Sequence, residues 1–172
     1  MKNIIWRYGT ISGFLNAIYL VVFALVTKAN PNFNHSLITG YAAMAVALSF
    51  IFVGVYQAKK QFPEQPFGFN KAFLTALLIA LISSLFYTFT WLVVNQFIYP
   101  EFMTNYTQNQ IINAQNSGMS VQNLETLRKE MDGYVQLYKN PFWVFIMTLT
   151  EILPLGFLLS LLAAAIFKKK NA

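Results

Sequence analysis

Four apolar stretches, at about residues 4–27, 37–57, 71–98 and 142–167, each hold the roughly twenty residues needed to cross a bilayer, and nothing else in the chain constrains its fold as strongly. At 1.5 Å per residue a helix of about 20 residues covers about one hydrocarbon thickness, so helical spans are expected. The expected fold class is an all-α integral membrane protein: a four-transmembrane-helix bundle with an extracytoplasmic helical hairpin between the third and fourth spans. One membrane domain over residues 1–172 accounts for the whole chain, since 56% hydrophobic and 10% charged residues leave no room for a separate catalytic domain.

The first span carries Trp6 and Tyr8 near one interface and ends at Lys28, Asn30 and Pro31. It is expected to be a retained helix, because its apolar region is too long for a signal peptide and holds Asn16 in its middle. The second stops at Gln57, Lys59 and Lys60; the third, longer than a bilayer requires, is expected to tilt or project before Pro100. The fourth follows Pro141 and ends at Lys168, Lys169 and Lys170. With both termini cytoplasmic, the inner side gathers Lys2, Arg7, Lys59, Lys60, Lys71 and the three terminal lysines. The outer side then holds Lys28, Arg128, Lys129 and Lys139, diluted by Glu101, Glu125, Glu130 and Asp132. That asymmetry sets the expected orientation. Lys59, Lys60, Lys71, Lys168, Lys169 and Lys170 are the expected lipid-interface residues, and Phe67 and Phe69 the interfacial anchors of the re-entry into the third span. The net charge of +6 thus marks span ends, and no nucleic-acid partner is expected.

Small residues recur at helical spacing in every span: Gly9 and Gly13; Ala43 and Ala47; Ala72, Ala76, Ala80 and Ser84; Gly156, Ser160 and Ala164. Such rows let helix backbones approach closely, and close packing is what holds helices together in lipid. A compact bundle follows, with Gly9 and Gly13 also a candidate seam for a homodimer.

The polar connection, about residues 100–140, is rich in Asn and Gln and divided by Ser117-Gly118. Phe102, Tyr106, Ile111 and Ile112 give its first half an apolar side, Gly118 suits a left-handed cap, and Ser120 suits the N-cap of a second helix. Along that second helix Leu124, Leu127, Met131, Tyr134 and Tyr138 form a stripe, the candidate outer interaction face. It packs on its neighbouring helix or the membrane, or it meets a partner.

Glu151 stands inside the fourth span, where a carboxylate is costly and normally faces a bundle interior or a water-filled cavity. Pro154, three residues on, cannot donate to the Thr150 carbonyl and is expected to kink the helix there. Counting from the span ends puts Asn16, Tyr87 and Thr88 at a similar depth, so Glu151, Thr150, Pro154, Asn16, Tyr87 and Thr88 form a candidate intramembrane polar layer. The second span offers only Val46, Ala47 and Ser49 at that depth. Either Glu151 binds a proton or cation beside a broken helix, as in transporters, or it pins helix register by hydrogen bonding.

No catalytic residue is expected. Without cysteine there is no thiol nucleophile, disulfide or zinc-thiolate site; with His35 alone there is no HExxH motif, and no GxSxG, Walker or GxGxxG pattern occurs. His35, in the short loop, reads as a solvated loop residue, and no metal or cofactor is expected.

The run Phe67-Gly68-Phe69-Asn70-Lys71-Ala72-Phe73, continuing through Tyr87 and Trp91 to Tyr99-Pro100-Glu101-Phe102, is distinctive, as are Tyr8-Gly9 to Gly13 and Glu151-Ile152-Leu153-Pro154-Leu155-Gly156. On these residues, over nearly the whole chain, the sequence resembles the bacterial membrane family numbered 4199 among domains of unknown function, found mainly in the Bacteroidetes. The resemblance implies four spans, a long connection before the last, a bacterial inner membrane and a complete chain; it supplies no activity. The leading expectation is a non-enzymatic assembly or interaction component, whose partners are the lipid bilayer and a membrane protein or a second copy of the chain. The alternative is a small-solute or ion-coupled permease unit using Glu151.

Overall fold

The computed structural model describes residues 1–30, 37–61 and 67–168, and helices make up nearly all of them. The order is α1 (Lys2–Ala29), α2 (Leu37–Leu48), α3 (Phe50–Lys60), α4 (Phe69–Val93) with a π turn (Val94–Ile98), α5 (Phe102–Asn116), α6 (Val121–Tyr138) and α7 (Pro141–Phe167). Four stretches are long and apolar enough to cross a membrane: α1, the α2–α3 pair over Ile38–Lys60, α4 with its π turn, and α7. Each overlaps one of the four apolar stretches. Among the described residues no strand occurs.

Local chemistry explains the ends and joints. Ser49 separates α2 from α3, its hydroxyl donating to the Val46 carbonyl at 2.6 Å, so the second span tightens there without turning back. At the end of the third span Pro100 excludes Tyr99 from helical geometry. The chain widens into a π turn first, with the Tyr99 N–H reaching the Val94 carbonyl at 2.8 Å, and Lys28 from α1 donates to the exposed Ile98 carbonyl at 2.7 Å. The fourth span starts cleanly: Asn140 accepts from the Phe142 N–H at 3.0 Å and Pro141 occupies the first turn. It then runs as one helix through Pro154 to Phe167.

α4 is the central helix, packed along α1 on one side and α7 on the other, with α3 beside it. The small-residue rows explain the closeness. Ala72, Ala76, Ala80 and Ser84 are all buried on α4, facing a region that also buries Gly156, Ser160 and Ala164 of α7. A Cβ built on Gly156 would stand 3.1 Å from that of Ala80. The homodimer seam expected at Gly9 and Gly13 is corrected: both are buried within the chain, and a Cβ there would fall 2.7 Å from Ile82 Cβ and 2.6 Å from Phe86 Cβ of α4. The expected interfacial role of Phe67 is also corrected, since it is fully buried in the core while Phe69 is exposed. Phe67 precedes the N-cap Gly68, the position from which an apolar side chain folds back over the first turn towards the residue at Ala72, itself fully buried. Outward, Phe14, Ile18 and Val22 of α1, Leu74, Leu85 and Phe89 of α4, and Leu158, Leu162 and Ile166 of α7 stay exposed, a girdle suited to lipid.

α5 and α6 pack on each other, and α6 also touches α7. Gly118 lies at φ +76°, with its own N–H on the Gln115 carbonyl and the Met119 N–H on that of Ala114, a Schellman closure of α5. Ser120 then accepts from the Asn123 N–H at 3.4 Å, a long N-cap for α6.

Candidate functional site

A cavity of about 200 Å³ opens among the spans on the side where α5 and α6 lie. Six helices line it. α1 brings Tyr19, Leu20 and Phe23, successive members of one helical face; α2 brings Gly40 and Met44, one turn apart. α4 brings Tyr87 and Trp91, again one turn apart, α5 roofs the space with Phe102, Met103 and Tyr106, and α6 adds its last residue, Tyr138. α7 brings Glu151. Ten residues beyond Pro141, Glu151 sits about 15 Å along α7.

Seven of the twelve lining residues are aromatic, and Glu151 is the only one among them with a carboxyl or basic group, so the wall is a ring-lined enclosure holding a single carboxylate. The rings fix one another. Trp91 and Phe102 meet edge to face at 4.8 Å, Phe23 stands 6.1 Å from Phe102 and 6.1 Å from Tyr19, and Phe102 stacks with Tyr106 at 6.0 Å. The Trp91 indole donates to the Tyr138 hydroxyl. Burial pushes that hydroxyl up to about 12, so Tyr138 is neutral at physiological pH and keeps its own proton to donate. The Tyr19 hydroxyl is enclosed with no hydrogen-bond partner. Among the described residues no hydrogen bond or ion pair reaches the Glu151 carboxylate, and its side chain remains accessible.

Of the expected polar layer, the structure brings Glu151 and Tyr87 to one cavity. Asn16 is buried elsewhere: its amide donates to the Ser83 hydroxyl at 3.2 Å, Ser83 pairs with Ser12 at 2.8 Å, and Ser12 donates to the Ala47 carbonyl at 2.8 Å. This knot ties α1, α2 and α4. Ser12 lies four residues before Asn16 on the same helical face, the signal by which it was findable; Ser83 has no such marker. Thr88 is buried with its hydroxyl unpartnered, Thr150 is exposed and donates to the Met147 carbonyl at 2.9 Å, and Pro154 is exposed. None of these four lines the cavity.

Depth counting along the spans missed Gly40 and Met44, which lie nearer the connection than the Val46–Ser49 segment it selected. It missed the roof from α5 altogether, because that contact depends on how the connection folds back. On α6, Leu124, Leu127, Met131 and Tyr138 are half-buried and Tyr134 is exposed. Lys59 is half-buried, Lys60 lies over the Tyr56 ring at 4.5 Å, Lys71 is half-buried and Lys168 exposed. Lys169, Lys170 and His35 lie outside the described residues. No group of three metal-ligating side chains occurs among the described residues.

Fold and site together define a multi-pass, all-helical membrane protein with an aromatic cavity, bearing one carboxylate, beneath its connecting helices. The chain belongs to the family described as Protein of unknown function (DUF4199), whose model matches residues 7–169. No curated protein and no solved structure matches it.

Proposed function

We propose that the protein is a non-enzymatic permease unit for a small solute, ion-coupled through Glu151, in a bacterial cytoplasmic membrane with both termini cytoplasmic. The observation that carries this reading is the cavity: the carboxylate of Glu151, within the apolar helix α7 and free of a protein ion pair among the described residues, lines about 200 Å³ of space together with Tyr19, Tyr87 and Tyr138. A glutamate kept only to pin helix register is expected to be hydrogen-bonded across the interface, as Asn16 and Ser83 are. The lysine and arginine bias of the span ends supports the orientation.

The test is solute-driven flux in proteoliposomes holding a pH-sensitive dye, with amines, amino acids, organic acids and sugars supplied in turn. At least one class is expected to give a signal that Glu151→Gln abolishes while the variant stays monodisperse with an unchanged melting temperature. A wild-type protein silent to every class overturns the reading.

A second reading, an assembly component, draws on α6, which has no fully buried residue although it carries the apolar stripe. Crosslinking and affinity purification from native membranes, with Leu127 and Tyr134 kept or made polar, decide it. A stoichiometric partner lost on substitution supports it; the same purified material with and without the changes removes it.

A further inference from the structure

The cavity's chemistry narrows what it takes, and the inference rests on the solute-site reading above. We propose that its ligand is a compact organic monocation, an ammonium head held between the Glu151 carboxylate and the ring faces of Tyr87, Trp91 and Phe102. Three properties of the wall lead there. Its one group able to carry a formal charge at physiological pH is acidic, so an anion meets no complementary charge there, whereas a cation pairs with the carboxylate. Its donor set is wrong for a hard metal ion: calcium takes six to eight oxygens and magnesium an octahedron, whereas the wall supplies one carboxylate and tyrosine hydroxyls, with no cluster of metal-ligating side chains among the described residues. What the wall has in abundance is aromatic rings, seven of its twelve residues, and aromatic rings joined to a carboxylate recognise ammonium groups.

Size and polarity sharpen the class. A cavity of about 150 Å³ accommodates one benzene, and drug-sized sites run from about 300 Å³ upward, so about 200 Å³ suits a head of a few carbons and one nitrogen. Tyr19 lies on the same wall, its hydroxyl buried without a hydrogen-bond partner. The mutual edge-to-face packing of Trp91 and Phe102 at 4.8 Å holds two of the rings in place before any ligand arrives. An ammonium head comes from a free amine or from an ethanolamine-type lipid, and the test separates these sources.

The full-length protein is placed in nanodiscs of phosphatidylglycerol, a lipid without an ammonium group, and titrated with choline, ethylammonium and tetramethylammonium, followed by calorimetry and tryptophan fluorescence. The neutral carbon isostere of choline, 3,3-dimethylbutan-1-ol, is titrated alongside. At least one cation is expected to saturate at one per chain, with choline binding about tenfold or more tighter than its isostere. Glu151→Gln is expected to remove that preference while the isostere still binds, which shows the cavity intact; Trp91→Leu is expected to weaken the cations more than the isostere. Repeating the titration with phosphatidylethanolamine present identifies the source: weakened cation binding assigns the head to the lipid, and unchanged binding to a free amine. Equal binding of cation and isostere, or indifference to Glu151→Gln, overturns the cation assignment and leaves a neutral-solute permease standing. If neither cations nor isostere bind and the proteoliposomes are also silent, the cavity is no solute site and both readings fall.

Discussion

At Gly9 and Gly13 two closely packed spans, α1 and α4, nearly touch. The atoms a new side chain would meet there are Cβ atoms of Ile82 and Phe86, which move only with their backbone. Gly13→Val is therefore expected to lower stability by about 1–3 kcal/mol, the cost of overpacking, read as a drop in thermal midpoint of the purified protein. Gly133 is the opposite case: a Cβ there has nothing within 4 Å, and the residue sits inside exposed α6. Gly133→Ala is expected to stabilise by roughly 0.4–1 kcal/mol, through helix propensity and reduced freedom of the unfolded chain. Sequence pattern showed that Gly9 and Gly13 serve close packing, since two glycines one turn apart in an apolar helix have little other use. It did not show against which surface, because spacing carries no information about the partner. Phe67 makes the same point: an aromatic beside lysines reads as an interface anchor, and only the packed bundle shows it enclosed.

Among the elements, α5 and α6 divide sharply from the spans. α6 buries no residue completely, whereas α4 buries ten. Amide hydrogen exchange in α6 is expected to be fast relative to α4, with protection falling along α6 away from Tyr138, where the chain meets the cavity. A flat protection profile across both helices contradicts this. The turn between α5 and α6 depends on the left-handed Gly118; Gly118→Ala is expected to cost about 1 kcal/mol of the local stability of this pair and to speed exchange there, leaving the spans unchanged. This turn was legible in the sequence because its chemistry is local: Ser117-Gly118 followed by Ser120 specifies a stop and a start. The joint at Ser49 and the π turn before Pro100 were not, since one depends on a side-chain bond to the preceding turn and the other on how far the helix continues before the proline stops it.

For the whole molecule, the placement of charge and of the connection yields the topology prediction. A cysteine introduced at Ser117, exposed in the turn, is expected to react with a membrane-impermeant maleimide added to intact cells. Labelling only after the cytoplasmic side is opened reverses the orientation proposed above. The cavity, too, is a property of the whole molecule, because six helices contribute to it and none of them supplies more than three of its lining residues.

Four helices able to cross a membrane follow from the order of residues alone, because lipid offers the backbone no other partner and the length of each apolar run is a local property. The place of a carboxylate ten residues into the last apolar helix follows in the same way, since it is a count along one helix. Which groups surround that carboxylate depends on how the helices pack. The azimuth of each helix and the folding-back of α5 rest on close packing between distant residues. That packing turned Asn16 towards Ser83, kept Tyr87 with Glu151, and closed the aromatic roof of Phe102 and Tyr106 over the space between them.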